Sequence, residues 1–374
     1  MACELFAACK RGDLPKVKCL LHNGVSLLER HEKKGKSALH YAAKYGHLEV
    51  AKFLISVGSD VSERDSLGLT ALLWASHRGY IDMVEYLLQN GGSLEDKTAN
   101  QNTPLLLAQS KPMIEFLVSH GCSIKERNVR GQTPLLRTCY GGDVKAIEYL
   151  LELGSSLDER SNVKDTPITC AAIAGHVKLV EWLMAHNCDV NDNTPNEGSA
   201  FIQAGRGKST KMLEFLLKHG GTFTDTDIDG ETVMIAACIK GNVEIVKWLV
   251  EHGGPLTDKD ENQTGLLSIA TQKENPELVR YLLSVGCSAK ERDSRNNTPL
   301  ILAIVQGNLE LAKLYLEQGY SSMDEVDNYG FTPLLTAFGT RGNIELITYL
   351  VEKGGSLYER TYEQNDPLLL AAER

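Results

Sequence analysis

Gly207-Lys208-Ser209 has the ending of a phosphate-binding loop. In such a loop, backbone N–H groups cradle phosphate oxygens and the lysine reaches the outer phosphates. The loop needs a glycine five residues before Gly207, where Ile202 stands, and no strand-forming run leads into it. The other reactive groups are ten histidines and nine cysteines. They show no His-x-x-x-His or Cys-x-x-Cys spacing that would hold zinc. No Ser/His/Asp set stands apart as a nucleophile and its base. Instead they recur at fixed offsets. Cys122, Cys188 and Cys287 share one position and Cys139 and Cys238 another. Copies of one position lie in different structural units, beyond the reach of a disulfide. The expectation is reduced thiols in a cytoplasmic protein, with the nucleus as the other compartment. No metal, cofactor or enzymatic activity is expected from these residues.

The offsets come from a helix-opening phrase that returns along the whole chain. It begins at Ser37, Thr70, Thr103, Thr133, Thr166, Ser199, Thr232, Gly265, Thr298, Thr332 and Asp366, in steps of 33, 33, 30, 33, 33, 33, 33, 33, 34 and 34 residues. A fixed period of this size specifies a stack of similar small units. Residues 68–94 show one unit. Thr70 can cap a helix with its hydroxyl, and proline fills the next position in six sister copies, where a missing N–H costs little. A short helix follows, with small Ala75 and Ser76, and then a turn at Arg78-Gly79. A second helix over roughly 81–89 places Met83, Val84, Leu87 and Leu88 at helical spacing. Gly91-Gly92 ends it, and residues 93–101 read as a hairpin to the next unit. Each unit has one apolar side that only its neighbours can bury.

These features together, Thr-Pro-Leu-x-x-Ala, a Gly-His or Gly-Asn turn, Val-x-x-Leu-Leu and a closing glycine, resemble the ankyrin repeat over residues 4–374. The resemblance implies an all-α solenoid of stacked antiparallel helix pairs with β-hairpin loops. It also implies a groove of inner helices and hairpin fingers that binds protein. The expected organisation is an N-terminal capping repeat and first hairpin over 1–36, ten repeats in one array over 37–365, and an incomplete final repeat over 366–374. Because the last repeat opens only its inner helix, sequence is expected to continue beyond Arg374. The leading expectation is a non-enzymatic, monomeric protein-binding scaffold. The alternative is the targeting part of a larger enzyme (a kinase or ubiquitin ligase), or of a membrane channel or anchor.

The net charge of −10, from 39 Lys+Arg against 49 Asp+Glu, argues against nucleic acid as a partner. No apolar run reaches membrane-spanning length. Yet the positions that family resemblance assigns to partner contact are mainly basic or aromatic: Lys33, Lys34, Lys36, Lys44, Tyr45, His77, Arg78, Lys111, Arg130, Tyr140 and Arg206. Outer-helix positions Glu85, Glu115, Glu148, Glu181 and Glu214 are acidic. A basic inner face would attract an acidic or phosphorylated peptide. The longer hairpin before Thr332 adds Tyr329 and Phe331 as candidate contacts. The unit at Thr103 is three residues short, which reads either as a neutral loop deletion or as a notch used by a partner. An aromatic stripe on the outer helices reads as packing between neighbours. The Glu-Arg pairs of six hairpins, such as Glu63-Arg64 and Glu126-Arg127, read as a solvated or cross-hairpin charge ladder worth about 0–1 kcal/mol each. Asp189-Val190-Asn191 resembles the hairpin pattern hydroxylated in many ankyrin repeats, with Asn191 as the acceptor.

Overall fold

The structure, a computed structural model, describes residues 2–31, 35–190, 198–340 and 343–372. It divides into unit 1, Met1–Asp189, and unit 2, Val190–Arg374. Unit 1 holds six helix pairs: α1 (Ala2–Arg11) with α2 (Leu14–His22), α3 (Ala38–Tyr45) with α4 (Leu48–Ser56), α5 (Ala71–Arg78) with α6 (Ile81–Gln89), α7 (Pro104–Leu107) with α8 (Lys111–Ser119), α9 (Pro134–Gly141) with α10 (Val144–Glu152), and α11 (Pro167–Ala174) with α12 (Val177–Ala185). Its odd-numbered, inner helices stack on one another in chain order. Unit 2 repeats the scheme with α13 (Ala200–Arg206), α14 (Thr210–Lys218), α15 (Val233–Lys240), α16 (Val243–Glu251), α17 (Leu266–Gln272), α18 (Pro276–Ser284), α19 (Pro299–Val305), α20 (Leu309–Glu317), α21 (Pro333–Gly339) and α22 (Ile344–Glu352). A single helix, α23 (Pro367–Ala372), packs on α21.

The phrase residues do what their chemistry requires. Thr70 is extended at φ −85°, ψ 170°, and its hydroxyl oxygen accepts the Leu73 N–H, satisfying one orphan donor of α5. Thr103, Thr133, Thr232, Thr298 and Thr332 repeat this bond. Helices α3, α5, α9, α11 and α15 end on left-handed glycines, such as Gly46 at φ +77°. A Cβ on Gly46 would stand 2.8 Å from the Tyr80 ring of the next repeat, so this site needs both the conformation and the absent side chain of glycine. The next residue reaches back: His47 Nε2 to Lys10 O (2.9 Å), His176 Nε2 to Tyr140 O (2.9 Å) and Asn242 Nδ2 to Gly207 O (3.1 Å). Carbonyls left open at the end of one inner helix are thus closed by the following repeat.

The loops are held by acidic or amide side chains. Asp65 Oδ1 accepts from Leu67 N and Leu69 N while the Asp65 N–H donates to Leu69 O. Asp227, Asp260, Asp293 and Asp327 do the same in unit 2. Backbone pairing of strand type occurs as a bridge between Lys259 and Gly265. The loops are therefore hairpin turns with little extended ladder.

The Glu-Arg pairs have more specific work than a solvated charge ladder. Glu126, Glu159 and Glu359 accept the capping hydroxyls of Thr103, Thr133 and Thr332 in the preceding repeat. The neighbouring arginine spans two loops: Arg64 Nη1 donates to Gly68 O and Lys97 O, Arg127 Nη1 to Gly131 O and Arg160 O, and Arg292 Nη1 to Asn296 O and Val326 O. The acid therefore ties a helix start to the next loop, and the arginine ties that loop to the one after. Charge pairing between neighbouring loops also occurs, between Arg30 and Glu63.

His40, buried at 1% exposure, carries a proton-linked prediction. Its Nδ1 accepts the Ser37 N–H at 3.1 Å, so Nε2 carries the ring proton toward Leu69 O (2.9 Å) and Glu63 O (3.1 Å). Burial, opposed by the bond to Leu69 O and the nearby carboxylates of Asp65 and Glu63, holds its pKa below the usual 6.5. In the window between the two values the unfolded chain binds more protons. The stabilisation is therefore complete above pH 6.5 and declines as pH falls toward the folded value. Wild-type urea midpoints are expected to drop between about pH 7.5 and about pH 5.5, with a visibly smaller drop for His40→Gln. Parallel pH profiles for the two proteins would remove His40 from this role.

Candidate protein-binding face

The inner helices of unit 1 present one variable position, the fifth residue of each phrase. It reads Tyr41, Trp74, Leu107, Arg137 and Cys170 along α3, α5, α7, α9 and α11. Around it the flanking phrase residues are buried and repetitive, so this position and the helix ends carry the individuality. Trp74 is 9% exposed, touches Leu69, Leu73 and Leu107, and donates Nε1–H to Asp65 Oδ2 at 3.0 Å. Lys36 Nζ lies 3.8 Å and Lys44 Nζ 4.4 Å from its ring centroid. Lys44 also stands 5.8 Å from the Tyr45 ring, and Lys10 stands 5.4 Å from the same ring. The sequence Lys10, Tyr45, Lys44, Trp74, Lys36 is thus a run of cations alternating with aromatic faces.

The short repeat extends this character. Helix α7 is four residues long, and its missing turn leaves carbonyls that its neighbours serve. Arg137 Nε donates to Leu106 O at 3.2 Å from α9, and His77 Nδ1 reaches Leu107 O at 3.4 Å from α5. Burial holds the His77 pKa down; the bond to Leu107 O opposes it, and the positive charges of Arg78, Arg137 and Lys44 add to the lowering. Three cations thus stand near His77 in a chain that is acidic as a whole. The three-residue deletion is therefore a local rearrangement of the inner face rather than a change confined to a surface loop.

The residues singled out from sequence fall in different places. Lys44, Tyr45, His77, Arg78 and Tyr140 sit at the C-terminal ends of α3, α5 and α9, and Arg130 is exposed in a loop. Lys36 is buried, 4% exposed, under Trp74 rather than at a loop tip. Lys111 opens α8, an outer helix, where its Nζ pairs with Glu115 at 3.5 Å and lies 5.5 Å from the Tyr149 ring. Arg206 belongs to unit 2 and is occupied: its Nη2 bonds Asp227 Oδ2 at 2.6 Å and Glu231 Oε2 at 2.8 Å. Tyr329 is 64% exposed, whereas Phe331 is half-buried beside Gly339. Lys33, Lys34 and Asn191 lie outside the described residues. Sequence reasoning missed Phe6, Lys10, His31, Tyr41, Trp74 and Arg137. For the inner-helix members the available signal was the fifth phrase position, which changes type from repeat to repeat. It also missed an apolar groove of about 1020 Å3 lined by Leu21, Val25, Leu27, Leu28, Phe53 and Val57.

The outer stripe behaves as packing. Phe53, Tyr86, Tyr149, Tyr281 and Tyr349 are each covered by a lysine ammonium 5.3–5.9 Å from the ring, from Lys18, Lys52, Lys111, Lys247 and Lys313 on the preceding outer helix. The tenth copy turns inward: Tyr315 is fully buried and its hydroxyl meets Thr271 Oγ1 at 2.5 Å.

The groups that could do chemistry take structural roles. Gly207 caps the end of α13, and Ser209 Oγ accepts Met212 N–H at the start of α14. Burial pushes the thiols of Cys9 and Cys122 up to about 12 and Cys287 up to about 11. At neutral pH they are thiols, not nucleophilic thiolates. Among the described residues no His/Cys/Asp/Glu group could hold a metal ion, and no helix is long and apolar enough to cross a membrane.

Comparison with known families agrees with this architecture. A model described as ankyrin repeats (3 copies) matches residues 5–98, 57–128, 105–194, 200–293 and 266–361. The chain belongs to the ankyrin-repeat family. Its repeats are those of a protein–protein interaction domain, in a family that is typically non-catalytic.

Proposed function

We propose that this chain is a protein-binding scaffold whose unit 1 takes an acidic segment of its partner across the inner-helix ends of α3, α5 and α9. The supporting observation is the alternation of Lys10, Tyr45, Lys44 and the Trp74 ring, with Arg78 and Arg137 as further cations near His77. Aromatic faces supply rigid contact area, and the ammonium and guanidinium groups select negative charge and speed encounter. The exposed Glu85, Glu148 and Glu181 on the outer helices repel the same ligand, which orients it to the inner face.

Fluorescence anisotropy with peptides of equal length and acidic, neutral or basic composition tests the reading. Acidic peptides are expected to bind at least about tenfold tighter, with an affinity that falls as salt is raised. Lys44→Glu combined with Arg78→Glu should remove that preference while circular dichroism stays unchanged. An unaltered preference in the double variant would refute the assignment.

A further inference from the structure

At the α1 end of unit 1 lies a cavity of about 270 Å3 that includes Phe6, Lys10, His31, Tyr41, Lys44 and Tyr45 in its lining. Its walls are aromatic. Phe6 and Tyr41 stack with centroids 5.5 Å apart and planes at 26°, and His31 tilts against them at 6.1 and 6.2 Å. Two of its cations, Lys10 and Lys44, stand 5.4 and 5.8 Å from the Tyr45 ring centroid. Among the described residues neither makes an ion pair, and none of the residues lining the cavity is acidic. The Nδ1 atom of His31 is buried with no hydrogen-bond partner among the described residues. Buried nitrogens are rarely left so, because the lost hydration is not replaced.

We propose that this cavity receives a phosphotyrosine side chain of a protein partner. The inference rests on the reading of unit 1 as a face for acidic protein segments and names the side chain it selects. A phenyl ring fits walls made of rings, which favour offset or edge contacts with another aromatic. The phosphate carries about −1.5 to −2 charge and three strong acceptor oxygens. Lys10 and Lys44 supply mobile point charges of the kind that bind phosphate, and His31 Nδ1, as an N–H, supplies a directed donor that has no partner among the described residues. A glutamate or phosphoserine would satisfy the cations but would leave the aromatic walls facing water.

The test uses phenyl phosphate, followed by NMR shifts and by competition against a labelled peptide in its tyrosine and phosphotyrosine forms. Phenyl phosphate is expected to bind saturably and at least about tenfold tighter than inorganic phosphate or phenol. The phosphorylated peptide should exceed its unphosphorylated form by about tenfold or more, and Lys10→Met with Lys44→Met should erase that difference. The single variant Lys10→Met, at an exposed position on α1, should lose part of the affinity with the thermal midpoint unchanged, which separates recognition from folding. Equal binding of phenyl phosphate and inorganic phosphate, or of the two peptide forms, would overturn the proposal. If acidic unphosphorylated peptides still bind and respond to Arg78→Glu, only the phosphotyrosine assignment fails. If phenyl phosphate binds but no acidic peptide does, the cavity stands as an aryl-phosphate site and the wider face does not.

Discussion

Trp74→Ala is expected to destabilise unit 1 by about 3–5 kcal/mol, the usual cost of truncating a large buried aromatic. Trp74 is 9% exposed and packs on Leu69, Leu73 and Leu107, so alanine leaves a void between α5 and the four-residue α7. That helix is the weakest place to absorb a void, because it has few backbone bonds of its own. The change also removes the Nε1–H bond to the buried Asp65 and the ring shared by Lys36 and Lys44. Urea unfolding with a far-ultraviolet signal measures the loss, and Trp74→Phe separates its parts. Phenylalanine keeps most of the burial and the aromatic face but loses the donor, for an expected cost of about 1–2 kcal/mol. An alanine variant within about 0.5 kcal/mol of wild type would mean that the tryptophan is peripheral to the stack.

Arg206→Leu should cost unit 2 about 2–4 kcal/mol, because it strands buried negative charge. The Asp227 side chain is 1% exposed and is held by Arg206 at 2.6 Å as well as by the N–H groups of Asp229 and Glu231. Glu231 loses its 2.8 Å partner in the same step. Two backbone donors remain on Asp227, which keeps the expected loss below that of an isolated buried carboxylate. The companion variant Arg206→Leu with Asp227→Asn removes the uncompensated charge and should recover a large part of the loss. Hydrogen exchange in α13 and α15 would show the destabilisation where neighbour interfaces are weakened. No recovery in the double variant would show that Arg206 acts through packing alone.

The repeat was legible because each of its devices is local. A threonine cap, proline at the first helical position, glycine at the turn and Val-x-x-Leu-Leu spacing act within one helix pair. They recur often enough to be recognised without knowing what touches what. The Glu-Arg pairs were visible and their cross-hairpin pairing holds for Arg30 and Glu63, but their other partners were not legible, for the opposite reason. Their partners are a threonine 23–27 residues earlier and carbonyls 33 or 34 residues later, and such relations exist only once the repeats stack. Arg206 and Lys36 show the same gap. A basic residue at a contact position reads as available, but folding gives Arg206 two carboxylates and covers Lys36 with an indole.

By itself the sequence determined the period and the all-α repeat class. These follow from side-chain chemistry at fixed spacing along one chain. The tertiary structure decided which of the charges are spent and which remain. Stacking brings residues about 33 positions apart into contact, so Lys10, Tyr45, Lys44 and Trp74 become one surface although no motif joins them. It likewise lets Arg137 and His77 close the carbonyls of a helix that a three-residue deletion had shortened. A site assembled across repeats has no signature within any one of them, which is why the fold could be read from the chain and the proposed binding face could not.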